Sequence, residues 1–226
     1  YKKIFSEAKD ICFREKYSND LFENRLENVR YASDIVFSLK THQNKNDNTV
    51  VISVIDCEKK IGKGLNTKYT ILINKFIDYF LNENFKVILM SFCEYEGDEK
   101  VILNLMNKNK DRKLEKYFYR GNIEEALGII SNSKVVVGSR FHANILGMLY
   151  QKCVVPVAYS DKTLNVLKDL NFENQIFDIR YLDVDSIDKM IQNINLEYIH
   201  NIETAKIDAD QHFLELDKIL GEKDEY

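Results

Sequence analysis

The clearest chemical pattern in this sequence lies at residues 135–147, where V-V-V-G-S-R-F-H-A-N-I-L-G runs from an apolar strand into a helix. The hydroxyl of Ser139 is predicted to cap this helix, which puts Arg140 and His142 in its first turn. A cation there faces the positive end of the helix dipole, at a cost of about 0.3–1 kcal/mol, so Arg140 requires a compensating negative charge. The residues therefore predict an anion-binding site, to which Gly138 and Ser139 contribute.

His142 follows Arg140 by two residues, close enough for its imidazole to reach an anion that Arg140 holds. A bound dianion favours the imidazolium, which makes His142 a candidate general acid near neutral pH. The alternative is that Arg140 pairs with a neighbouring carboxylate and that His142 is a packing residue. Because one Arg and one His in a strand-turn-helix are common, the residues alone leave both interpretations open.

Composition narrows the class of protein. The 226 residues carry a net charge of −4 with acids and bases interspersed, which argues against a nucleic-acid partner. The four cysteines lack the spacing of a zinc site or redox pair and are expected to be buried thiols in a reducing cytoplasm. No apolar run approaches the ~20 residues that cross a bilayer, and no signal peptide opens the chain. We therefore expect a soluble, cytoplasmic α/β protein that binds no metal.

From residue 49 onward, short β-branched runs alternate with longer amphipathic runs, which is typical of βαβ units around a parallel sheet. The predicted strands cover residues 49–56, 85–92, 116–119, 134–137 and 153–157. The predicted helices cover residues 68–82, 97–107, 123–131, 141–150, 164–170, 187–194 and 203–220. Such crossovers place functional loops at the carboxyl ends of the strands.

The residues before 49 follow a different rhythm. The predicted elements are a helix at residues 1–10, a strand at 11–13, a helix at 19–25 and a strand at 34–39, followed by a solvated polar connection at 42–48. Because the chain begins at Tyr1 rather than Met, we expect a fragment or a processed product. These residues are expected to close an earlier domain.

The stretch at residues 135–147 resembles the signature of the polysaccharide pyruvyl transferase family, in which a strand, a small residue, Ser, Arg, an apolar residue and His open a helix. C-V-V-P-V-A-Y-S-D-K at residues 153–162 is similar to the family's next strand, with its Pro and a downstream Lys. I-C-F-R-E-K-Y-S-N-D-L at residues 11–21 resembles a strand that ends in Arg and an acid, and residues 31–34 resemble the family's Asp before a strand. These four landmarks occur in the family's order over most of the chain.

The resemblance implies a Rossmann-like parallel sheet flanked by helices, similar to the C-terminal lobe of a two-lobed GT-B type transferase. On that model residues 49–194 form the C-terminal lobe. Residues 1–40 are the remnant of the N-terminal Rossmann-like lobe, and residues 195–226 form a helical segment that packs back toward it.

The resemblance also implies a reaction. Phosphoenolpyruvate would be the donor, and His142 would protonate its methylene carbon. Arg140 and Arg14 would hold its phosphate and carboxylate, and two sugar hydroxyls would add to form a pyruvate ketal. The acceptor would be a sugar or lipid-linked glycan of a cell-surface or exopolysaccharide precursor, with peripheral association to membrane glycan-assembly machinery. The scheme requires no metal and no cofactor.

Other residues have two interpretations. Lys162, after Ser160 at a strand-to-helix turn, is a candidate anion ligand, although a solvated lysine is about twice as common on general grounds. Arg14 has the alternative of an ion pair with Glu15 or Asp34. The segment at residues 62–64, G-K-G, lacks the spacing of a P-loop and is interpreted as a flexible cleft loop.

One sequence feature departs from the family pattern. Ile55 and Asp56 stand where some family members carry an Arg at a strand end, which leaves donor or acceptor preference open. The other histidines, at positions 42, 200 and 212, are predicted to be solvated. Two further functions remain open: a GT-B type nucleotide-sugar glycosyltransferase that uses Arg140 and Lys162 on a diphosphate, and a non-catalytic carbohydrate-binding domain.

Overall fold

The computed structural model describes residues 2–41 and 47–221. The chain divides into two compact units. The first unit comprises the residues up to Lys40, Asp161–Phe172 and the residues from Asn201 onward, and the second unit comprises Thr41–Ser160 and Glu173–His200. The lobe boundaries at 1–40, 49–194 and 195–226 stay a prediction.

Strands and helices alternate along most of the chain. The strands within the described residues are β1 (Ile11–Phe13), β2 (Val29–Tyr31), β3 (Thr49–Ser53), β4 (Lys86–Ser91), β5 (Leu114–Phe118), β6 (Val135–Gly138), β7 (Cys153–Ala158) and β8 (Phe177–Asp178). The α-helices are α1 (Lys2–Glu7), α2 (Lys16–Asp20), α3 (Cys57–Ile61), α4 (Lys63–Asn82), α5 (Asp98–Lys108), α6 (Ile123–Asn132), α7 (Phe141–Leu149), α8 (Asp161–Asp169), α9 (Ile187–Gln192), α10 (Glu203–Ala209) and α11 (Leu214–Gly221).

The second unit is built on a parallel six-stranded sheet with the order β5-β4-β3-β6-β7-β8. All residues of β3, β6 and β7 are buried, because helices cover the parallel sheet and leave no solvated face. Their continuous apolar runs are the sequence consequence of that burial. The predicted Rossmann-like α/β fold is confirmed.

Helix α4 packs its apolar side onto this sheet. Leu72, Phe76 and Phe80 are buried at helical spacing, and the Phe76 ring meets Phe177 of β8 edge-on at 5.0 Å between centroids. Each such side chain contributes on the order of 1.5–3 kcal/mol by leaving water. The packing fixes α4 behind the strands whose carboxyl ends carry the candidate site.

The first unit contains a smaller parallel pair, β1 and β2, with Ile11 opposite Val29. Phe5, Phe13 and Phe22 form an aromatic cluster with centroids 5.1–6.1 Å apart. Phe13 is the last residue of β1, so the contacts of its ring with Phe5 and Phe22 anchor the strand that leads to Arg14.

Several predictions about local structure are wrong. The predicted strand at residues 34–39 is a 3-10 helix, Ile35–Ser38, because the Asp34 carboxylate accepts a hydrogen bond from the Val36 N–H at 3.1 Å and turns the chain. The helix predicted at 203–220 is interrupted by a 3-10 turn at Asp210–Phe213. Strands β2 and β8 and helix α3 were not predicted.

Two of the histidine predictions are also wrong. His200 is buried, and its Nδ1 lies 2.8 Å from the Tyr198 hydroxyl. His212 is half-buried, with Nε2 2.6 Å from the Ser33 carbonyl oxygen. His42 lies outside the described residues, as do most residues of the polar connection at 42–48.

The cysteines were expected to be buried thiols. Cys57 and Cys153 are buried, whereas Cys12 and Cys93 are half-buried. No helix in the described part of the chain is long and apolar enough to cross a bilayer.

Candidate functional site

The candidate site lies where the order of the strands in the sheet reverses, between β3 and β6. β3 and β6 are neighbours, with Ser53 opposite Gly138 at their carboxyl ends. The chain continues from β3 to β4 on one side and from β6 to β7 on the other. In open α/β sheets this switch point leaves a crevice between the diverging connections, and ligands bind there.

Helix α7 begins at this switch point, directly after β6. Its N-cap is Arg140, with no side-chain cap, so the prediction that Ser139 caps the helix is wrong. The Arg140 N–H instead donates to the Ser53 hydroxyl at 3.1 Å, and the buried Ser139 hydroxyl lies 2.9 Å from the Tyr69 hydroxyl. Tyr69 in turn accepts from the Ile55 N–H at 3.0 Å. These contacts tie the start of α7 to the end of β3.

Gly138 has a steric role at the strand end. Asn144, buried in the second turn of α7, donates from Nδ2 to the Gly138 carbonyl oxygen at 3.0 Å. A Cβ at position 138 would overlap the side-chain amide of Asn144. Only glycine lets the helix fold back this closely on the strand that precedes it.

The guanidinium of Arg140 is held by two carboxylates. Nε donates to Asp98 Oδ2 at 3.0 Å, Nη2 donates to the other oxygen of Asp98, and Nη1 donates to Glu96 Oε2. The Arg140 side chain is 12% exposed. The negative charge that the helix dipole requires is therefore supplied by the protein itself, as the alternative interpretation of Arg140 anticipated.

Asp98 is the fixed partner in this arrangement. Its side chain is 0% exposed, and Oδ2 also accepts from the backbone N–H groups of Phe92 and Cys93 at 3.0 Å each. Burial raises the pKa of Asp98 to about 6, although those two N–H groups and the Lys60 charge lower it. Burial also lowers the pKa of Arg140. At neutral pH both groups are charged and paired.

Glu96 is the exposed partner. Its side chain is 37% exposed, and its second oxygen, Oε1, accepts from the Lys60 ammonium of α3. Gly97, between the two acids, has φ +89°, a left-handed conformation that favours glycine. The turn places one carboxylate inside the protein and the other at its surface.

His142 lies in the first turn of α7 and is exposed to solvent. Its ring contacts that of Phe141 edge-on, with centroids 5.2 Å apart. The structure thus brings together four of the predicted site residues at one edge of the sheet: Gly138, Ser139, Arg140 and His142.

The other predicted residues have different settings. Arg14 donates from Nη1 to Asp34 Oδ2 at 2.9 Å, which is the alternative that the sequence left open. Lys162, in α8, is exposed, and both Arg14 and Lys162 belong to the first unit. Ser160, half-buried, ends the part of the second unit that carries β7. The roles of these three residues in the site stay predictions.

The segment at residues 62–64 was interpreted as a flexible loop. Gly62, with φ +95°, instead ends α3 and begins α4 directly. A cavity of about 380 Å³ lies between α4 and α5 and includes Asp56, Asn66, Thr70 and Asn104 in its lining. Within residues 2–41 and 47–221, no three His, Cys, Asp or Glu side chains are grouped as metal ligands.

Sequence reasoning missed the two carboxylates that hold Arg140, Glu96 and Asp98, and it also missed Lys60, which pairs with Glu96. A signal for them was present in E-Y-E-G-D at residues 94–98, where acids flank a glycine just after a predicted strand. In a Rossmann-like order that strand adjoins β3, so its carboxyl end had to face the switch point.

Known proteins resemble this chain in sequence. A family model described as polysaccharide pyruvyl transferase matches residues 1–161. The amylovoran biosynthesis protein AmsJ of Erwinia amylovora is 23% identical over a 249-residue alignment that covers 97% of this chain and 58% of AmsJ. The chain thus spans less than two thirds of the length of this relative.

Solved structures also resemble it. UDP-GlcNAc 2-epimerase of Methanocaldococcus jannaschii has a TM-score of 0.62 at 12% identity, over 95% of this chain and 62% of the epimerase. The pneumococcal O-GlcNAc transferase GtfA has a TM-score of 0.57 at 9% identity, over 99% of this chain and 47% of GtfA. TarM of S. aureus has a TM-score of 0.54 at 17% identity, over 97% of this chain and 45% of TarM. These likenesses confirm a GT-B type fold.

Proposed function

The chain belongs to the polysaccharide pyruvyl transferase family, and we propose from this that it transfers a pyruvyl group from phosphoenolpyruvate to a sugar of a cell-surface or exopolysaccharide precursor, forming a pyruvate ketal. The observation that carries the proposal is the exposed imidazole of His142 in the first turn of α7, two residues from Arg140, at the switch point of the sheet. A proton donor and a cation at that crevice suit an anionic enol ester.

The chemistry begins with a proton. In the proposal the imidazolium of His142 protonates the methylene carbon of phosphoenolpyruvate, and the adjacent carbon becomes an oxocarbenium-like electrophile. One sugar hydroxyl forms a C–O bond to that carbon, and its proton returns to His142. The C–O bond to phosphate then breaks, a second hydroxyl forms a C–O bond to the same carbon and closes the cyclic ketal, and the proton of that hydroxyl goes to the departing group, which leaves as hydrogen phosphate. The scheme is redox-neutral and needs no oxidant or reductant, and the proposal includes no metal and no cofactor.

The donor's negative charges need cations. In the proposal Arg140 binds one anionic group of the donor, with the backbone of Gly138 and Ser139 lining the start of α7 beside it. Arg14, Lys162 and Ser160 are retained as proposed donor contacts. Since Arg140 already pairs with two carboxylates, donor binding must exchange one of them.

The proposed partners follow from the substrates. With phosphoenolpyruvate as the donor, the reaction is proposed to take place in the cytoplasm. AmsJ is named for the biosynthesis of the polysaccharide amylovoran, which supports a glycan acceptor. The proposal therefore names a sugar or lipid-linked glycan as acceptor, with peripheral association to membrane glycan-assembly machinery.

Phosphate release tests the proposal. The chain is incubated with phosphoenolpyruvate and a panel of sugar acceptors, and acceptor-dependent phosphate is measured for the wild type, His142→Gln and His142→Ala. Loss of a general acid lowers kcat by about 10²–10⁴-fold, so both variants should be nearly inactive. Added imidazole should restore part of the activity of His142→Ala, because a free acid can enter the space of the missing ring, but not that of His142→Gln, whose side chain still fills it.

Three results would contradict this function. Equal phosphate release by wild type and His142→Gln would exclude His142 as the acid. Turnover of a UDP-sugar without phosphoenolpyruvate would favour a glycosyltransferase. A UDP-sugar is the alternative donor to test because the similar M. jannaschii structure is named a UDP-GlcNAc 2-epimerase. Glycan binding that is unchanged in His142→Ala and Arg140→Ala, with no turnover, would favour a carbohydrate-binding domain.

A further inference from the structure

We propose that Lys60 and Arg140 together form the donor's anion-binding site, and that the carboxylate of Glu96 occupies this site until the donor displaces it. The identity of the anion as phosphoenolpyruvate rests on the proposed function. The site itself rests on three side chains from three different elements of the second unit. Lys60 adds a binding residue that the family resemblance did not supply.

Two cations converge on one carboxylate. Glu96 accepts from the Lys60 ammonium with one oxygen and from Arg140 Nη1 with the other. A carboxylate bridged in this way has the charge and the acceptor positions of a ligand carboxylate, or of two oxygens of a phosphate. Glu96 therefore marks the place where two donors of the protein already point at a common anion.

Only one of the two acids near Arg140 can leave. Asp98 is wholly buried and accepts from Arg140 Nε and Nη2 and from the N–H groups of Phe92 and Cys93, so its departure would strand all of these donors. Glu96 is 37% exposed, and its carboxylate stays hydrated when it turns outward. Glu96 is the exchangeable acid, and Asp98 holds the guanidinium in place during the exchange.

Charge also favours exchange. With Glu96 in place, the charges of Lys60, Glu96, Asp98 and Arg140 sum to zero. When Glu96 turns outward the remaining three sum to +1, which an anionic donor neutralises. The neighbouring Asp56 carboxylate is offset by Lys59, whose ammonium lies on the same side of Gly97.

The backbone sets the position of each group. Asp56 caps α3 by accepting from the Lys59 N–H at 3.1 Å, which fixes the helix that carries Lys60. Arg140 is set by its own N–H bond to Ser53. The residues that carry the two cations are held by hydrogen bonds of the backbone, whereas Glu96 lies in the turn beside Gly97. This arrangement is expected of a site in which the cations stay in place and the carboxylate moves.

Binding measurements test the exchange without requiring turnover. Inorganic phosphate and phosphoenolpyruvate are titrated into the chain by calorimetry. Glu96→Gln, which keeps the size but removes the competing charge, should bind both about fivefold more tightly. Lys60→Met should bind both about fivefold to tenfold more weakly. Far-UV circular dichroism confirms that each variant is folded.

Matched controls come from the same turn and from the opposite end of β4. Glu94→Gln makes the same charge change as Glu96→Gln on the same turn, where Glu94 pairs with Arg120 at 3.1 Å, and Lys86→Met repeats the change of Lys60 at the start of β4, where Lys86 pairs with Glu115 at 2.9 Å. Both should bind phosphate as the wild type does. Weaker or unchanged binding by Glu96→Gln, an equal effect of Glu94→Gln, or wild type that binds neither anion at millimolar concentration would overturn the inference.

The result separates this inference from the proposed function. If phosphate binding follows the predicted pattern but no pyruvyl transfer is found, the anion site stands and the donor is a different anion. If pyruvyl transfer is found and Glu96→Gln does not tighten binding, the function stands and the exchange is wrong.

Discussion

Arg14 and Arg140 both follow the end of a parallel strand and both pair with a buried aspartate, but the two ion pairs differ in their exposure to solvent. Arg14 follows the last residue of β1, and Arg140 comes soon after the last residue of β6. Each donates to an aspartate that is almost wholly buried, Asp34 at 2% exposure and Asp98 at 0%. In both places a cation at a strand end is neutralised by a buried carboxylate.

Their surroundings differ. The Arg14 side chain is 36% exposed, and its partner Asp34 also caps a 3-10 helix through the Val36 N–H. The Arg140 side chain is 12% exposed and is held by a second, exposed carboxylate, Glu96. A buried acid together with an exposed one makes a cation that is fixed at one edge and exchangeable at the other.

The largest expected difference between the two arginines is in stability. Arg140→Met leaves Asp98 buried without its charge partner, which should lower the free energy of unfolding by about 3–5 kcal/mol. Arg14→Met should cost about 1 kcal/mol, since water can replace a guanidinium that is one third exposed. Urea denaturation of both variants measures the difference, and equal losses would show that the two pairs are alike.

The strand end that leads to Arg140 requires glycine at position 138. Gly138→Ala places a Cβ against Asn144 and should destabilise the protein by about 1–3 kcal/mol, as overpacking does. Gly128→Ala in α6 is the matched control: no atom lies within 4 Å of its Cβ position, and alanine is the better helix former by about 1 kcal/mol. Thermal denaturation should therefore shift in opposite directions. A Gly138→Ala variant as stable as wild type would show that α7 can move away from the strand.

A smaller effect depends on pH. Burial raises the pKa of Asp98 above its ordinary 3.8 to about 6, so this carboxyl contributes stability that is fully present below about pH 4 and lost as the pH rises through about 6. Relative to Asp98→Asn, which does not titrate, the wild type should lose on the order of 1–2 kcal/mol between about pH 4 and pH 7. Urea denaturation of both proteins across that range gives the difference. A difference that does not vary with pH would mean that Asp98 keeps its ordinary titration.

Sequence patterns predicted the elements that local periodicity defines. The predicted strands of the six-stranded sheet overlap β3 to β7. In β3, β6 and β7 the signal is a continuous apolar, β-branched run, which marks a strand that is buried on both faces. β2 and β8, at three and two residues, are too short to show a period. The 3-10 helix after Asp34 follows from one side-chain hydrogen bond, which periodicity does not register.

The residues of the candidate site also fall into two groups: those that the local sequence indicates and those that only the fold brings together. Arg140 and His142 were found because they lie within one turn of the helix that β6 leads into. Glu96 and Asp98 lie 44 and 42 residues from Arg140 in sequence, and the order of the strands alone brings them to it. That order is a tertiary property, so the sequence indicated the need for a negative charge near Arg140 but not its source.

The exchange at Arg140 would be visible in a crystal structure of the chain with bound phosphoenolpyruvate. An anionic group of the donor should lie between the Lys60 ammonium and Arg140 Nη1, with Glu96 turned into solvent, Asp98 unmoved and the methylene carbon in contact with the His142 ring. A donor bound away from α7, with the contact between Glu96 and Arg140 intact, would show that no exchange takes place.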